Sequence, residues 1–260
     1  WGSLLQHYTG SKLHNIHLRT LAKEKGYSLS EYGITQKNKL NRFTSEKKFY
    51  RFLGMDYIPP EMRENLGEIE MSLNHKLPKL VDLSDIKGDL HVHSDFEFPS
   101  SHDIGTSPLS QLISTASSLG YEYLGLADHN PKFQGLTEKQ KLQIIFDRRK
   151  YLLSQYNAYE KSVKHRVIKL LIGMEVDIRP DGSLALSDEN LNSLDYVIAS
   201  IHTSFDLTLE ANTRRILKAL NHPQVKILGH PTGRVINGRD PIHADWDKIF
   251  AFCAQKNKIL

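Results

Sequence analysis

The sequence predicts an α/β protein, a parallel β/α barrel that is incomplete at its carboxyl end and follows a small α+β subdomain. Two observations predict this fold. From about residue 87, short apolar runs that suit strands alternate with amphipathic helical stretches, which is the pattern of parallel strands joined by crossover helices. In addition, a histidine or an acidic residue stands at the carboxyl end of each complete predicted strand, the edge where β/α barrels carry their functional groups.

The first part of the chain predicts helices with a short strand region. Ser11 is a suitable N-cap for a helix that ends at Gly26. Tyr27–Tyr32 alternates like a strand, Thr35–Asn41 is polar and turn-like, and Ser45–Leu53 suits a short helix.

The stretch from Glu68 to Ile86 predicts a connector, because scattered charges and a proline replace any apolar periodicity. We place the domain boundary there. The predicted segments are a subdomain at residues 1–72, a linker at 73–86 and the barrel at 87–260.

The barrel region predicts five complete strands and the start of a sixth, separated by helices. The strands are Asp89–His93, Tyr121–Ala127, Val167–Val176, Tyr196–Ile201 and Val225–Gly229, with Lys258–Leu260 beginning the next. The helices are Pro108–Leu119, Thr137–Lys164, Asp188–Leu194, Leu209–Leu220 and Asp245–Lys256. So many alternating units favour a closed barrel over an open sheet.

Composition excludes several classes of protein. With 260 residues, 39% hydrophobic and 25% charged, the chain has the balance of a globular protein rather than a disordered one. No apolar run approaches the roughly 18 residues of a membrane span. The single cysteine, Cys253, excludes an internal disulfide and favours a reducing, cytoplasmic location. The chain opens at Trp1 without an initiator methionine or signal peptide, which suggests a piece of a longer protein.

Charge is unevenly distributed. Residues 1–54 contain ten Lys and Arg against three acids, a balance of +7. Since the whole chain carries +4, the remainder carries −3. A basic module joined to a mildly acidic one fits either a polyanion-binding surface beside a cation site or simply a solvated basic face.

Histidines and acids at the predicted strand ends indicate a metal site. His91 and His93 are two residues apart on one strand, so their side chains point to the same face and can share one ion. Imidazoles with carboxylates suit Zn²⁺, Mn²⁺ or Fe²⁺, and the absence of thiolates excludes a structural zinc finger. The other strand ends carry Asp128-His129, Glu175-Val176-Asp177, Ser200-Ile201-His202 and Gly229-His230.

These motifs resemble, in order, those of polymerase-and-histidinol-phosphatase (PHP) domains, and are similar to the version found in bacterial family X DNA polymerases. The resemblance covers residues 87–260 and implies a seven-stranded β/α barrel, a (β/α)7 fold, holding up to three metal ions. The family's last motif, an Asp-x-His on a later strand, would follow Leu260, so the barrel is expected to be truncated here. The motifs are His91-Val92-His93, Asp128-His129, Gly173-Met174-Glu175-Val176-Asp177, Ser200-Ile201-His202 and His230-Pro231-Thr232-Gly233-Arg234.

The resemblance implies seven metal ligands, with Glu175 bridging two ions. Glu175 and His202 are also implied catalytic residues, and Arg234 a phosphate clamp or, equally, a surface ion pair. The ligands are His91, His93, Asp103, His129, Glu175, His202 and His230.

Two parts of this set stay open at the sequence level. The loop between Ser94 and Ser107 is longer than in the family, so a neighbour of Asp103 could take its place. The alternatives are Asp95, Glu97 and His102. Acids that could orient the ligand histidines are Asp89, Asp128 and Asp177.

The amino-terminal part, about residues 1–72, resembles the end of the palm and the thumb of family X polymerases. In His7-Tyr8-Thr9-Gly10-Ser11, the residues Tyr8, Thr9 and Gly10 match the turn beside the incoming nucleotide's sugar. Asn15 matches a contact to the nucleotide base, and Arg19, one helical turn later, a template-strand contact. The palm's Mg²⁺-binding carboxylates would precede Trp1.

The predicted function is therefore metal-dependent 3′→5′ hydrolysis of DNA ends, in a monomeric protein that also transfers deoxynucleotides to a primer-template. Two alternatives remain. One is a small-molecule phosphatase of the histidinol phosphate type on the same barrel. The other is a non-catalytic brace or DNA-binding surface.

Overall fold

The computed structural model describes residues 1–132, 134–164 and 167–260. The chain divides into two compact units, which we call the amino-terminal unit, Trp1–Val81, and the carboxy-terminal unit, Asp82–Leu260. The division lies within residues 73–86.

The amino-terminal unit combines helices with a three-stranded antiparallel sheet. Ser11 and Ser45 cap two of its helices, each accepting a hydrogen bond from the backbone N–H three residues later. Its elements are α1 Gly2–Thr9, α2 Lys12–Glu24, β1 Tyr27–Ser30, β2 Gly33–Gln36, β3 Lys39–Asn41, α3 Glu46–Phe52 and α4 Glu68–Leu73, with a 3₁₀ turn at Pro60–Met62.

Two sequence predictions in this unit are wrong. Thr35–Asn41 is not a turn but the end of β2 and all of β3, joined at Lys37 and Asn38, whose φ angles are 46° and 63°. This two-residue, left-handed turn suits a hairpin, and the mostly polar residues of its strands hide the alternation. The predicted connector contains α4, which packs Ile69 into the core, 1% exposed. A six-residue helix is too short to show clear periodicity.

The carboxy-terminal unit alternates strands and helices as predicted. Thr137 and Gln140 form a reciprocal capping box that fixes the start of its longest helix. The strands are β4 Gly88–Val92, β5 Tyr123–Leu126, β6 Lys169–Ile172, β7 Met174–Asp177, β8 Val197–Ser200 and β9 Val225–Leu228. The helices are α5 Leu109–Ser118, α6 Glu138–Ser162, α7 Asp188–Asn192, α8 Leu209–Leu220 and α9 Trp246–Lys256.

The strands form two parallel sheets, in the orders β4-β5-β6 and β7-β8-β9. The predicted single strand Val167–Val176 divides at Gly173 into β6 and β7. Backbone hydrogen bonds from Gly173 N to Leu126 O and from Glu175 N to Asp128 O keep β7 alongside the extension of β5. The α/β class with parallel strands is therefore confirmed, whereas no pairing among the described residues closes the sheets into a ring.

The inner face of these strands is filled around one aromatic ring. The hydroxyl of Tyr196, just before β8, donates to Leu90 O in β4 at 2.6 Å. Gly125 and Gly173 leave room for this ring, since a Cβ at either position would lie within 2.5 Å of it. β4 and β8 lie almost at opposite ends of the strand order. The hydrogen bond from Tyr196 to Leu90 therefore shows that the layer of strands is strongly curved. No helix in the described part of the chain has the length and apolar character that a bilayer crossing requires.

Candidate metal centre

The carboxyl ends of the parallel strands open into one cleft of about 480 Å³. Since parallel strands present the same edge, β4, β5, β7, β8 and β9 each contribute a side chain near or shortly after their carboxyl ends. All seven predicted ligands line the cleft, together with one further histidine: His91, His93, His102, Asp103, His129, Glu175, His202 and His230.

Glu175 lies at the floor of the cleft, 1% exposed, and faces five imidazoles. Its two oxygens face different histidines. From Oε2 the distances are 3.0 Å to His91 Nε2, 3.1 Å to His129 Nδ1 and 3.6 Å to His93 Nε2, and from Oε1 they are 2.7 Å to His230 Nε2 and 3.3 Å to His202 Nε2.

This donor set fits divalent cations. Ligands about 2.1 Å from one ion lie roughly 3.0 to 3.4 Å from each other, which is close to the spacing found here. Two ligand groups share Glu175, one with His91 and His93 and the other with His202 and His230. Because each group meets a different carboxylate oxygen, the geometry is that of a bridging carboxylate.

Orphaned nitrogens support the same interpretation. His93 Nδ1 and His129 Nδ1 are buried without a hydrogen-bond partner among the described residues. His129 Nδ1 is 3.1 Å from Glu175 Oε2, yet the angle does not make a hydrogen bond. A short nitrogen–oxygen distance without a shared proton suits two ligands of one ion better than a donor and its acceptor.

A third group consists of His102, His129 and His202. His102 was only an alternative to Asp103 at the sequence level, and the geometry favours it. Asp103 is 90% exposed and 3.5 Å from His129 Nε2, outside all three groups. Ser101 N donates to Asn130 O at 2.9 Å, and this bond turns the next residue, His102, toward the cleft.

One carboxylate orients the imidazoles from behind. Asp177 Oδ1 lies 2.6 Å from His202 Nδ1 and 3.3 Å from His102 Nε2. Such a partner fixes the ring orientation and leaves the other nitrogen for a ligand. Asp89, a second candidate for this task, instead accepts the backbone N–H of His91 at 2.9 Å.

Burial and mutual contacts shift the pKa values in the cleft. Burial alone raises the pKa of Glu175, but hydrogen bonds from His202, His230 and His91 lower it well below its usual range. Burial lowers the pKa of His129 to about 4, against the raising effect of Glu175. Burial also lowers the pKa of His202, but hydrogen bonds to Asp177 and Glu175 raise it to about 9.

A buried arginine, which the sequence analysis missed, ties the strand ends together. Arg148 of α6 is 0% exposed and donates to Asp128 Oδ2 at 2.6 Å, to Gly173 O at 2.8 Å and to Leu126 O at 3.2 Å. Asp128 in turn accepts the backbone N–H and the hydroxyl of Ser94. Asp128 therefore fixes the backbone beside the ligands and orients no imidazole. The available signal was a basic residue spaced three and four positions from Ile145 and Leu152, on the face of α6 that is buried.

Arg234 lies outside the metal cleft. It lines a neighbouring cleft of about 500 Å³ formed by residues 234–241. Its side chain is exposed and makes no hydrogen bond or ion pair with the described residues. The surface ion pair that the sequence left open is therefore not formed with any of them.

In the amino-terminal unit, the predicted nucleotide turn is held by Arg63. This side chain is 0% exposed and donates to Thr9 Oγ1, while its backbone carbonyl accepts from Ser11 N at 3.0 Å. Tyr8 is 75% exposed. The turn around Gly10 is therefore rigidly held from inside and presented to solvent.

Asn15 is engaged within the protein. Its Nδ2 donates to His7 O at 2.9 Å and to Gly10 O at 3.1 Å, and its Oδ1 accepts from Gln6 Nε2 at 2.8 Å. Arg19 is exposed, with Nη2 3.4 Å from His7 Nδ1. A contact from Asn15 to a base, which stays a prediction, would exchange these bonds.

Comparison with known proteins assigns both units. A family model described as the DNA polymerase beta thumb matches residues 4–64, and one described as the PHP domain matches residues 89–260. DNA polymerase/3′-5′ exonuclease PolX of Bacillus subtilis is 34% identical over 98% of this chain and 43% of its own length. A probable phosphatase of Clostridium acetobutylicum is 32% identical over 66% of this chain and 62% of its own length.

A third relative, DNA polymerase IV of Saccharomyces cerevisiae, is 39% identical over 22% of this chain and 10% of its own length. The chain thus spans less than two thirds of each of these relatives. The PHP match nevertheless covers well over half of the chain, and the resemblance drawn from the motifs is confirmed. The chain belongs to the PHP domain family and carries that domain behind a polymerase-beta-type thumb, as bacterial family X DNA polymerases do.

Proposed function

We propose that the carboxy-terminal unit is a divalent-metal-dependent phosphodiesterase that removes nucleotides from the 3′ ends of DNA. The observation that carries the proposal is Glu175, a buried carboxylate whose two oxygens face two separate groups of imidazoles. The name of the Bacillus relative, DNA polymerase/3′-5′ exonuclease, supports the substrate.

The proposed ligands hold Mn²⁺ or Zn²⁺, with Fe²⁺ as a further candidate. When bound, these ions would lower the pKa of a coordinated water and shield charge on the leaving oxygen. The protein's own tasks are to fix the ligands and to position the substrate. Glu175 and His202 set the spacing of the two groups, and Asp177 fixes the ring of His202 through Nδ1.

Two finer features of the fold belong to the proposal. We infer that in the whole protein the parallel strands close into the seven-stranded barrel, which the hydrogen bond from Tyr196 to Leu90 supports. We also assign residues 1–72 to the thumb, 73–86 to a linker and 87–260 to the PHP domain. The whole protein would then also add deoxynucleotides to primer-template DNA, using Mg²⁺ at the palm.

In the amino-terminal unit, the excess of basic residues supports DNA binding, since lysine and arginine neutralise phosphates without reading sequence. The exposed Tyr8 and the held turn at Thr9 and Gly10 support contact with a nucleotide. Asn15 and Arg19 are the proposed contacts to the base and the template strand.

A small-molecule phosphatase is the second candidate, because relatives that match 66% and 55% of this chain are named probable phosphatases. The matching thumb favours a polynucleotide substrate instead. A purely structural brace is disfavoured because the ligand positions that line the cleft are all occupied by ligating residue types.

The test is a manganese-dependent assay on the full-length protein. A 5′-labelled single-stranded oligonucleotide should shorten from its 3′ end, and His202→Ala should lower the rate by about 100-fold, since a ligand and its share of the bridging site are lost. Equal rates for wild type and His202→Ala would refute the hydrolytic mechanism. Hydrolysis of histidinol phosphate without cleavage of the oligonucleotide would favour the phosphatase.

A further inference from the structure

A short hairpin leaves the strand end that carries His230. Gly233 N donates to His230 O at 2.9 Å, which closes a turn directly after this ligand. Val235 and Arg239 then exchange backbone hydrogen bonds of 3.0 and 2.9 Å, so that residues 236–238 form an exposed tip. We call residues 234–239 the arginine hairpin.

The arginine hairpin carries two guanidinium groups. Arg239 donates through Nε to Gly233 O at 2.7 Å, and its guanidinium lies 3.5 Å from the centroid of the Phe205 ring. These contacts fix its position and leave the Nη groups without a protein partner among the described residues. The Arg234 side chain likewise makes no hydrogen bond or ion pair within residues 1–132, 134–164 and 167–260.

Both arginines line the neighbouring cleft of about 500 Å³, together with one acid, Asp240. The tip adds apolar surface, since Val235 is 50% and Ile236 75% exposed. Two forked donors beside an exposed aliphatic side chain match two features of a nucleic acid strand, the phosphate and the face of a base or sugar. A small phosphate ester offers the phosphate without an adjoining nucleotide.

We propose that the arginine hairpin binds the backbone of a single-stranded nucleic acid, holding a phosphate next to the one cleaved in the metal cleft. Arg234 and Arg239 bind the non-scissile phosphate, and Ile236 packs against the adjoining nucleotide. The proposal rests on the proposed function and deepens it, because this subsite makes the metal centre selective for polynucleotides over small esters.

The position of the arginine hairpin supports separate sites for the cleaved phosphate and the non-scissile phosphate. Arg234 does not line the metal cleft but follows its ligand candidate His230 by only four residues, so it suits a phosphate close to, and different from, the one that is cleaved. Arg239 is held rigidly by Gly233 and Phe205, which lowers the entropy lost when it binds a ligand. With the carboxylate of Asp240, the cleft keeps one net positive charge, which favours an anionic ligand.

The experiment measures how hydrolysis by the full-length protein depends on strand length. With Mn²⁺, kcat/KM is determined for the dinucleotide dT2 and for dT8, and their ratio is the length advantage. We expect dT8 to be preferred by wild type, and the ratio to fall about tenfold in Arg234→Ala and in Arg239→Ala, a loss of one phosphate contact each. The slope of log(kcat/KM) for dT8 against log salt should also become shallower by about 0.7 in each variant.

Arg214→Ala is the matched control, an exposed arginine of α8 that lines a different cleft. It should keep the wild-type ratio, and Arg239→Lys should keep part of it, because a charge remains without the forked geometry. A wild-type ratio and salt slope in both hairpin alanine variants would overturn the hairpin assignment alone. If wild type cleaves neither dT2 nor dT8, the proposed function fails, and the hairpin proposal fails with it.

Discussion

Each unit of this protein buries a glutamate against imidazole, but the two sites differ in whether the imidazole nitrogens find hydrogen-bond partners. Glu68 in the amino-terminal unit and Glu175 in the carboxy-terminal unit are both 1% exposed. Glu68 has a single histidine partner, with His14 Nδ1 at 2.5 Å, and further accepts the backbone N–H groups of Asn65 and Leu66. Glu175 faces five imidazoles, and some of their nitrogens find no hydrogen-bond partner among the described residues.

The difference separates a structural ion pair from a ligand shell. The other nitrogen of His14 lies 3.2 Å from the Tyr50 hydroxyl, so every polar group of the first site has a partner within the protein. Around Glu175, the Nδ1 atoms of His93 and His129 have no hydrogen-bond partner among the described residues, and the outer histidines are partly open, as at His230, 46% exposed. Divalent cations would satisfy this second arrangement, and they would add nothing to the first.

The largest expected effect contrasts the same substitution at the two sites. Glu175→Gln removes the bridging charge and should lower hydrolysis by about 1,000-fold, equivalent to several kcal/mol of lost charge stabilisation, and reduce the bound metal. Glu68→Gln should leave metal content unchanged and lower the unfolding free energy by about 2 kcal/mol. Metal analysis, nuclease rates and thermal denaturation of both variants test this contrast. Full metal content in Glu175→Gln would erase the distinction between the two sites.

Much of this metal centre follows from the sequence. Alternation along a strand places His91 and His93 on one face, and the shared edge of parallel strands brings them to Glu175. These two rules need only the order of the strands and the residues at their ends. They hold because hydrogen bonding between strands fixes those positions within about one residue.

What the sequence could not supply depends on contacts between distant segments. Both residues line the cleft, but His102 rather than Asp103 joins a ligand group, in a loop that pairs with the segment after β5 through Ser101 N to Asn130 O. Nothing in the local composition fixes that pairing. The contacts of Arg148 with Asp128, Gly173 and Leu126 likewise depend on how α6 packs, and β6 and β7 are separated at Gly173, where a Cβ would meet the Tyr196 ring.

A prediction of intermediate size concerns the proton on His202, which a cation must displace to bind this ring. The pKa of His202 is about 9 in the metal-free protein, so below pH 9 this ring is mostly protonated. Manganese affinity should therefore rise by about tenfold per pH unit between 7 and 8.5. Electron paramagnetic resonance titration with Mn²⁺ at several pH values measures this slope. A slope of zero would show that His202 binds no ion.

Asp177→Asn sharpens that measurement. Loss of the carboxylate at 2.6 Å should lower the pKa of His202 and flatten the slope, while reducing affinity about 10- to 100-fold through loss of ring orientation. Asp181→Asn is the matched control, an exposed acid whose carboxylate accepts from the backbone N–H and the hydroxyl of Ser183. It should behave as wild type.

The smallest effect tests whether the pair in the amino-terminal unit responds to pH in the opposite sense. Burial lowers the pKa of His14 below 6.5, despite the raising effect of Glu68. As pH falls through 6.5, the unfolded chain takes up a proton that the folded unit resists, so stability should fall by at most about 1.4 kcal/mol per pH unit. In EDTA, the lowered pKa of His129 predicts a loss below pH 6.5 in the carboxy-terminal unit as well, whereas the raised pKa of His202 adds a loss that the His14 pair does not predict, as pH rises from 6.5 through 9.

Hydrogen exchange of the α2 and α7 amides, corrected for intrinsic rates and measured with EDTA at pH 5.5, 7 and 9, follows the two units separately. In α2, protection should drop only toward pH 5.5, and His14→Gln should abolish the drop. His17→Gln should not, because that ring is 38% exposed. Since α7 belongs to the carboxy-terminal unit, its protection should drop toward pH 9 and recover with added Mn²⁺, which replaces the proton of His202 as the partner of Glu175. Equal pH profiles in the two helices would mean that Glu68 and Glu175 differ only in the number of their neighbours. The two sites would then not differ in whether protein groups or a metal ion satisfy them.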